Sequence, residues 1–102
     1  NWLKSELNGL KKDFPLIGDV RGEGFFLGVE LVQDPLTREP APLQAGYIVE
    51  RMKSKRILLS TEGPGHNVLK FKPPMVFGRK EGLNFLENLE SVLRETLLRQ
   101  KR

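Results

Sequence analysis

Two lysines in the segment "NVLKFKPPM", residues 67–75, are the side chains best suited to chemistry in this chain. Lys70 and Lys72 alternate with apolar residues, so in a β-strand both side chains point to the same side. That side must be wet or meet an anion, because burying an unpaired ammonium group costs too much free energy. Three interpretations follow: a solvated edge strand, a basic patch for nucleic acid, or the rim of a site that holds an anionic substrate.

Other residue types offer little catalytic chemistry. The chain has no cysteine, and its one histidine, His66, lies in a glycine-rich loop, so no thiolate or histidine metal site is predicted. Ser60 and Thr61 have no obvious base. The segment "RGEG" at 21–24 looks like part of a phosphate-binding loop, but it precedes a strand instead of a helix, which favours a structural turn. We expect Arg21 to pair locally or to meet a neighbouring domain.

Composition indicates an ordinary globular chain. With 102 residues, 38% of them hydrophobic and 29% charged, it is long enough for one domain with a core. No apolar run approaches the roughly 20 residues that cross a bilayer, so no membrane partner is expected. The net charge of +4 is weak support for nucleic acid, because much of the surplus lies in the terminal "RQKR" and suits the end of a helix. The chain opens without methionine, in what looks like the middle of a helix, which predicts a fragment of a longer protein.

Hydrophobic periodicity predicts three helices. Apolar residues at helical spacing predict an amphipathic helix over 2–13, ended by Pro15, a second helix over roughly 42–55, and a long C-terminal helix. On the C-terminal helix, Glu90 and Arg94 are four residues apart and should form an ion pair. The apolar stripe of that helix consists of Leu86, Leu89, Leu93 and Leu97.

Three strands are predicted between these helices. A tight turn through the glycines of "IGDVRGEG" leads into a strand over 24–33, and Asp34 then starts a loop. Strands over 57–60 and 68–72 should pair as a hairpin across the Gly-Pro-Gly loop, and the strand over 24–33 should join them. If that strand ran parallel to the one after its helix, the connection would be right-handed.

Alternation assigns the faces of these strands. Along the first strand, Phe25, Leu27, Val29 and Leu31 share one face, while the residues between them form a mixed and partly exposed face. Along the last strand, Leu69 and Phe71 point to one side, and Val68, Lys70 and Lys72 point to the other. The prediction is a single α+β domain over residues 1–102, in which helices cover a small sheet of three to four strands.

Several segments together resemble the C-terminal part of a class III aminotransferase. They are "IGDVRGEGFFLGVELVQD", "REPAP", "ILLSTEGPGHNVLKFKPPM" and the closing helix, and their order and spacing match from about residue 17 to the end. Within this family, the segment "LLSTEGPGHNVLKFKPPM" is most similar in sequence to the phospho-lyase branch, which acts on phosphoethanolamine or phosphohydroxylysine. The resemblance implies the small C-terminal domain of a fold-type-I enzyme dependent on pyridoxal 5'-phosphate (PLP), packed against a larger domain that binds most of the cofactor.

The resemblance also implies a role for one lysine. In typical amino-acid aminotransferases of this family, an arginine of this strand binds a substrate carboxylate, and the equivalent position here is Lys70. Because lysine is a compact point charge and arginine a flat two-pronged donor, this departure puts the usual carboxylate clamp in doubt. It leaves open another anion or a smaller amine for Lys70, as well as a solvated face. Lys72 is expected at the surface, and His66 and Asn67 in a turn near the mouth of the site.

Further expectations concern the whole enzyme. The lysine that forms the Schiff base with PLP precedes this segment in the family, so the fragment alone should be inactive. The partners implied are a small amine or amino-acid substrate, the enzyme's own large domain and a second copy in a homodimer, with no nucleic acid. A cytoplasmic location is expected, or a mitochondrial one if the missing N-terminus carries a transit peptide. The alternative function is a free-standing basic module that binds acidic protein or nucleic acid.

Overall fold

The computed structural model of the chain describes residues 2–23, 26–73 and 78–100. Over these ranges, the elements in chain order are α1 (Trp2–Leu10), β1 (Ile17–Glu23), β2 (Phe26–Leu31), α2 (Pro42–Ser54), β3 (Ser60–Glu62), β4 (Val68–Phe71) and α3 (Arg79–Gln100). The predicted α+β class, with a small sheet covered by helices, is confirmed.

The four strands form one sheet in the order β1-β2-β4-β3, and every neighbouring pair is antiparallel. The predicted hairpin is present as β3 and β4, and β2 joins it through β4, with Gly28 opposite Lys70. β3, the strand after α2, and β2 are both antiparallel to β4, so β2 and β3 run in the same direction on either side of it. The right-handed connection through α2 stays a prediction.

Residues 17–23 form a strand where the sequence predicts a tight turn, so that prediction is wrong. β1 pairs with β2 from Ile17 opposite Leu31 to Glu23 opposite Phe26, with a bulge between Ile17 and Asp19. The glycines of this segment disfavour a strand, but Ile17 and neighbouring apolar residues are buried in the core. Pairing with β2 and burial of that side outweigh the low strand propensity of glycine.

Several predicted boundaries are also wrong. β2 ends at Leu31 instead of residue 33, and β4 ends at Phe71 instead of residue 72. α1 ends at Leu10 instead of residue 13. The strand predicted over 57–60 begins only at Ser60. The reason for the later start is that the Ile57 N–H donates to the Met52 carbonyl at 2.9 Å and completes the end of α2.

The core lies between the helices and one face of the sheet. The predicted inward residues of β2 and β4 are buried there, except Phe25, which lies outside the described residues. The opposite face of β2 was predicted to be partly exposed, but Gly28 and Val32 on that face are buried. Val32 also forms a β-bridge with Pro40. The core residues of β2, β4 and the helices include Leu27, Val29, Leu31, Leu69, Phe71, Leu3, Leu7, Ala45, Ile48, Met52, Phe85, Leu89, Val92 and Leu93.

Helix α3 is fixed to the sheet by aromatic stacking. The rings of Phe71 and Phe85 are parallel within 8°, with centroids 4.2 Å apart. On the outer surface of the helix, the predicted pair is confirmed, since Arg94 Nη2 donates to Glu90 Oε2 at 2.7 Å. β4 therefore has a firm apolar backing, and its other side is left to carry Lys70.

Candidate substrate-binding face

The side of the sheet turned away from the helices is the candidate site, and we call it the open face. Antiparallel pairing places directly opposite residues on the same side, so one row of this face runs Arg21, Gly28, Lys70, Ser60 from β1 to β3. The neighbouring positions on the open face include Phe26, Glu30, Val68 and Glu62.

Lys70 lies in the interior of the sheet, between β2 and β3. Its Nζ donates to Glu62 Oε1 at 3.2 Å and lies 4.3 Å from the centroid of the Phe26 ring. The side chain of Lys70 is only 20% exposed, whereas that of Glu62 is 50% exposed. The cation is thus held by a strand, an aromatic ring and one carboxylate, and the carboxylate is half-exposed.

The second lysine of the motif has a different environment. Lys72 follows the end of β4 and is exposed, as predicted for a surface residue. Pro73, the first residue of the predicted proline stop, is half-buried, while Pro74 lies outside the described residues. Of the two lysines, Lys70 alone is enclosed by the sheet.

The two loop residues near the motif are structural. Asn67 is 6% exposed, and its Nδ2 donates to the Leu31 carbonyl at 2.7 Å while its own carbonyl accepts from the Leu31 N–H at 2.8 Å. His66 is exposed and adopts a φ of 49° in the turn before β4. The turn that these residues form fixes where β4 starts, and thereby the position of Lys70.

A cluster of charges on the same face was not identified as a unit from the sequence. Arg21 donates to Asp19 Oδ2 at 3.1 Å and to Glu30 Oε2 at 3.0 Å, which confirms the predicted local pairing. Arg38 donates to the other oxygen of Glu30. Hydrogen bonding to Asp19 and the nearby charge of Glu30 raise the pKa of Arg21. These opposite charges make the open face a mixed surface, which does not favour the nucleic-acid interpretation.

A further charged cluster joins α2 to α3, away from the open face. Arg51 donates to both carboxylate oxygens of Glu95, at 2.8 and 3.2 Å, and the Tyr47 hydroxyl donates to Oε1 at 2.7 Å. These hydrogen bonds, that of Arg51 first, lower the pKa of Glu95 to about 2. The cluster clamps the two helices that support the sheet.

Two searches of the structure were negative over the part of the chain that it describes. Across residues 2–23, 26–73 and 78–100, no group of three or more His, Cys, Asp or Glu residues is arranged to hold a metal ion. Within the same ranges, no helix is both long enough and apolar enough to cross a membrane.

Solved structures of transaminases and phospholyases contain the same fold. A phospholyase from Arthrobacter in complex with phosphoethanolamine superposes with a TM-score of 0.84 and 34% identity, covering 91% of this chain and 22% of that one. An aminotransferase from Bacillus anthracis superposes with a TM-score of 0.83 and 29% identity over 92% of this chain and 22% of that one.

Proteins of similar sequence are likewise named as aminotransferases or phospho-lyases. An alanine–glyoxylate aminotransferase 2-like protein of Drosophila melanogaster is 47% identical in an alignment 102 positions long, which covers 95% of this chain and 21% of that protein. An ethanolamine-phosphate phospho-lyase homologue of Caenorhabditis elegans is 42% identical over 92 residues, or 89% and 20%. No family model matches the chain. The resemblance to aminotransferases and phospho-lyases is confirmed, and the chain spans about a fifth of the length of these relatives.

Proposed function

We propose that this chain is the small C-terminal domain of a PLP-dependent enzyme of the class III aminotransferase family. The full-length protein would transaminate an amine or amino acid, or eliminate phosphate from phosphoethanolamine or phosphohydroxylysine. The observation that carries the proposal is that about nine-tenths of the chain matches relatives named as aminotransferases or as phospho-lyases, together with the fold that it shares with the Arthrobacter phospholyase.

In this enzyme, Lys70 would bind an anionic group of the substrate. Three features support the role. The resemblance aligns Lys70 with a carboxylate-binding position. Its strand, β4, is paired on both sides, with β2 and with β3, and its charge faces away from the core. A lysine ammonium binds carboxylate or phosphate as a point charge, without the two-pronged geometry that arginine requires. The position therefore fits either class of substrate.

We assign no contact with PLP to the described residues. The ammonium group of Lys70, which is paired with Glu62 and packed on Phe26, is assigned to the substrate instead. PLP would be bound by the part of the full-length protein outside this chain, where it would serve as the electron sink for the reaction. The 102-residue chain alone would then be inactive.

The remaining partners follow from the same proposal. The open face would pack toward the enzyme's large domain, and the full-length protein would form a homodimer. Its compartment would be the cytoplasm or the mitochondrion. A similar protein of Arabidopsis thaliana, 40% identical over 86 residues, is named as a mitochondrial protein.

The test uses the full-length protein that contains this segment, as wild type and as Lys70→Ala. Ketone formation from amino donors and phosphate release from phosphoethanolamine are both measured. Loss of a charged hydrogen-bonding partner costs about 1.5–3 kcal/mol, so we expect KM for an anionic substrate to rise about tenfold or more in Lys70→Ala. Lys72→Ala is the matched control and should leave KM unchanged. Unaltered KM and kcat in Lys70→Ala would remove Lys70 from the site, and absence of both products from the wild type would reject the enzyme.

A further inference from the structure

Gly28 occupies the open-face position directly opposite Lys70, and the fold does not explain why it is glycine. It lies in the interior of β2 and pairs on both sides, with Arg21 and with Lys70. A glycine in such a place weakens a strand relative to alanine, because it loses more backbone freedom on folding. Within a strand, glycine usually marks a bulge, a bend, or a close approach by a ligand or another backbone.

The first two explanations do not apply to Gly28. The pairing of β2 with β4 continues without a shift from Leu27 to Glu30, and the bulge of the sheet lies elsewhere, near Asp19. Gly28 is also not among the described residues with a positive φ. The backbone at this position is ordinary strand, which any residue type can adopt.

Steric crowding within the chain does not apply either. A Cβ added to Gly28 would meet one described atom within 4 Å, Val68 Cγ1 at 3.4 Å, which is ordinary van der Waals contact. Gly18 and Gly65 differ, since a Cβ would lie 2.9 Å from Val32 and 2.8 Å from Pro40 at these positions. Among the described residues, packing therefore disfavours any side chain at 18 and 65 but would accept alanine at 28.

We propose that Gly28 is a specificity-determining position at which the anionic group of the substrate, a carboxylate or a phosphate, closely approaches the sheet. The inference rests on the proposed role of Lys70. We identify the approaching group as an anion from the charge of Lys70, which lies opposite Gly28 across the β2–β4 pair. The present partner of Lys70 is the half-exposed carboxylate of Glu62. Gly28 is buried in this chain, so an anion bound to Lys70 reaches the backbone of β2 only by displacing a neighbouring side chain; a methyl group on residue 28 would occupy that space.

The test compares Gly28→Ala with wild type in the full-length protein, using inorganic phosphate and acetate as competitive inhibitors of the reaction. Over-packing of a close contact predicts that the inhibition constant of at least one of the two anions rises about tenfold or more in Gly28→Ala. Which anion loses affinity identifies the substrate class. The melting temperature should stay the same or rise slightly, because alanine fits the strand. Gly46→Ala is the matched control: a Cβ there meets no described atom within 4 Å, and both inhibition constants should be unchanged.

Other outcomes separate this inference from the proposed function. If Lys70→Ala weakens both anions and Gly28→Ala weakens neither, the role of Gly28 is overturned while that of Lys70 stands. Gly28→Ala could instead lower the melting temperature and weaken the binding of all substrates, with or without an anionic group. In that case the close neighbour is the backbone of another domain, and the proposal fails. It also fails if Gly28→Ala/Val68→Ala restores the inhibition constants, since the effect would then come from crowding of Val68. Persistence of the loss in that double variant supports the proposal.

Discussion

The ammonium nitrogen of Lys70 and the carboxylate of Glu62 form an ion pair 3.2 Å long across the β3–β4 hairpin. The two ends of this pair differ: the lysine is enclosed by the sheet, whereas the glutamate is half-exposed on the last residue of a short edge strand. An anion that reaches Lys70 from solvent therefore has to compete with Glu62.

If Lys70 binds the substrate anion as proposed, replacing this competitor should strengthen anion binding. In the full-length protein, we expect Glu62→Gln to lower KM for an anionic substrate by up to about fivefold, since exposed ion pairs contribute about 0.2–1 kcal/mol. Steady-state kinetics for an anionic substrate and for an amine without an anionic group provide the measurement. The second substrate should be unaffected. A rise in KM for the anionic substrate would mean that Glu62 positions Lys70 instead of competing for it.

The 102-residue chain should fold without the remainder of the enzyme. Its core joins both ends of the sequence, with Leu3 and Leu7 of α1 and the stacked Phe71 and Phe85 in one apolar cluster. Dispersed amide signals in a proton–nitrogen NMR spectrum and a cooperative thermal transition are expected. Phe85→Ala should lower the unfolding free energy by about 3–5 kcal/mol, whereas Leu98→Ala, at a position 66% exposed, should change it little. A non-cooperative transition for the wild-type chain would contradict the prediction.

Asn67 should contribute to stability through its buried hydrogen bond and not through the substrate. Removing its side chain takes away the 2.7 Å donor to the Leu31 carbonyl, which still accepts from the Ala41 N–H at 3.2 Å, so the loss is that of one hydrogen bond, about 0.5–1.5 kcal/mol. Urea unfolding of Asn67→Ala measures this loss, with Asn8→Ala on the exposed side of α1 as the control. A change in KM of the full-length enzyme without any change in stability would assign Asn67 to the site instead.

The clamp of Glu95 should make stability depend on pH. Its pKa is about 2 in the folded chain against an ordinary value of 4.5, because Arg51 and Tyr47 donate hydrogen bonds to the ionised form. A lowered pKa means that the contribution is complete above pH 4.5 and is lost as the pH falls from 4.5 toward 2. The side chains of Glu95 and Arg51 remain 30% and 38% exposed, so solvent screens the pair and the effect on stability should be small.

The check for Glu95 is the difference in urea midpoint between wild type and Glu95→Gln. At pH 7 the wild type should be the more stable, and the difference should shrink as the pH approaches 2. Glu87→Gln, on the exposed surface of the same helix, should show no such dependence. An equal difference at pH 7 and near pH 2 would mean that ionisation of Glu95 does not stabilise the helix pair.

Sequence patterns were sufficient for the elements whose signals are local. The helical spacing of α2 and α3, the alternation along β4 and the Glu90–Arg94 pair are properties of residues within one element, and the structure confirms each of them. The same alternation determined that Lys70 faces away from the core. Charge alone left both lysines as candidates, and the resemblance to class III aminotransferases singled out Lys70.

Tertiary pairing decided the rest, because it depends on residues far apart in the chain. The glycines of β1 favour a turn locally, yet pairing with β2 and burial of Ile17 make the segment a strand. Neither Glu62 as the partner of Lys70 nor Gly28 as its neighbour could be found without the register of β2, β3 and β4. A sequence gives the side on which a strand residue points, but only the assembled sheet gives what lies beside it.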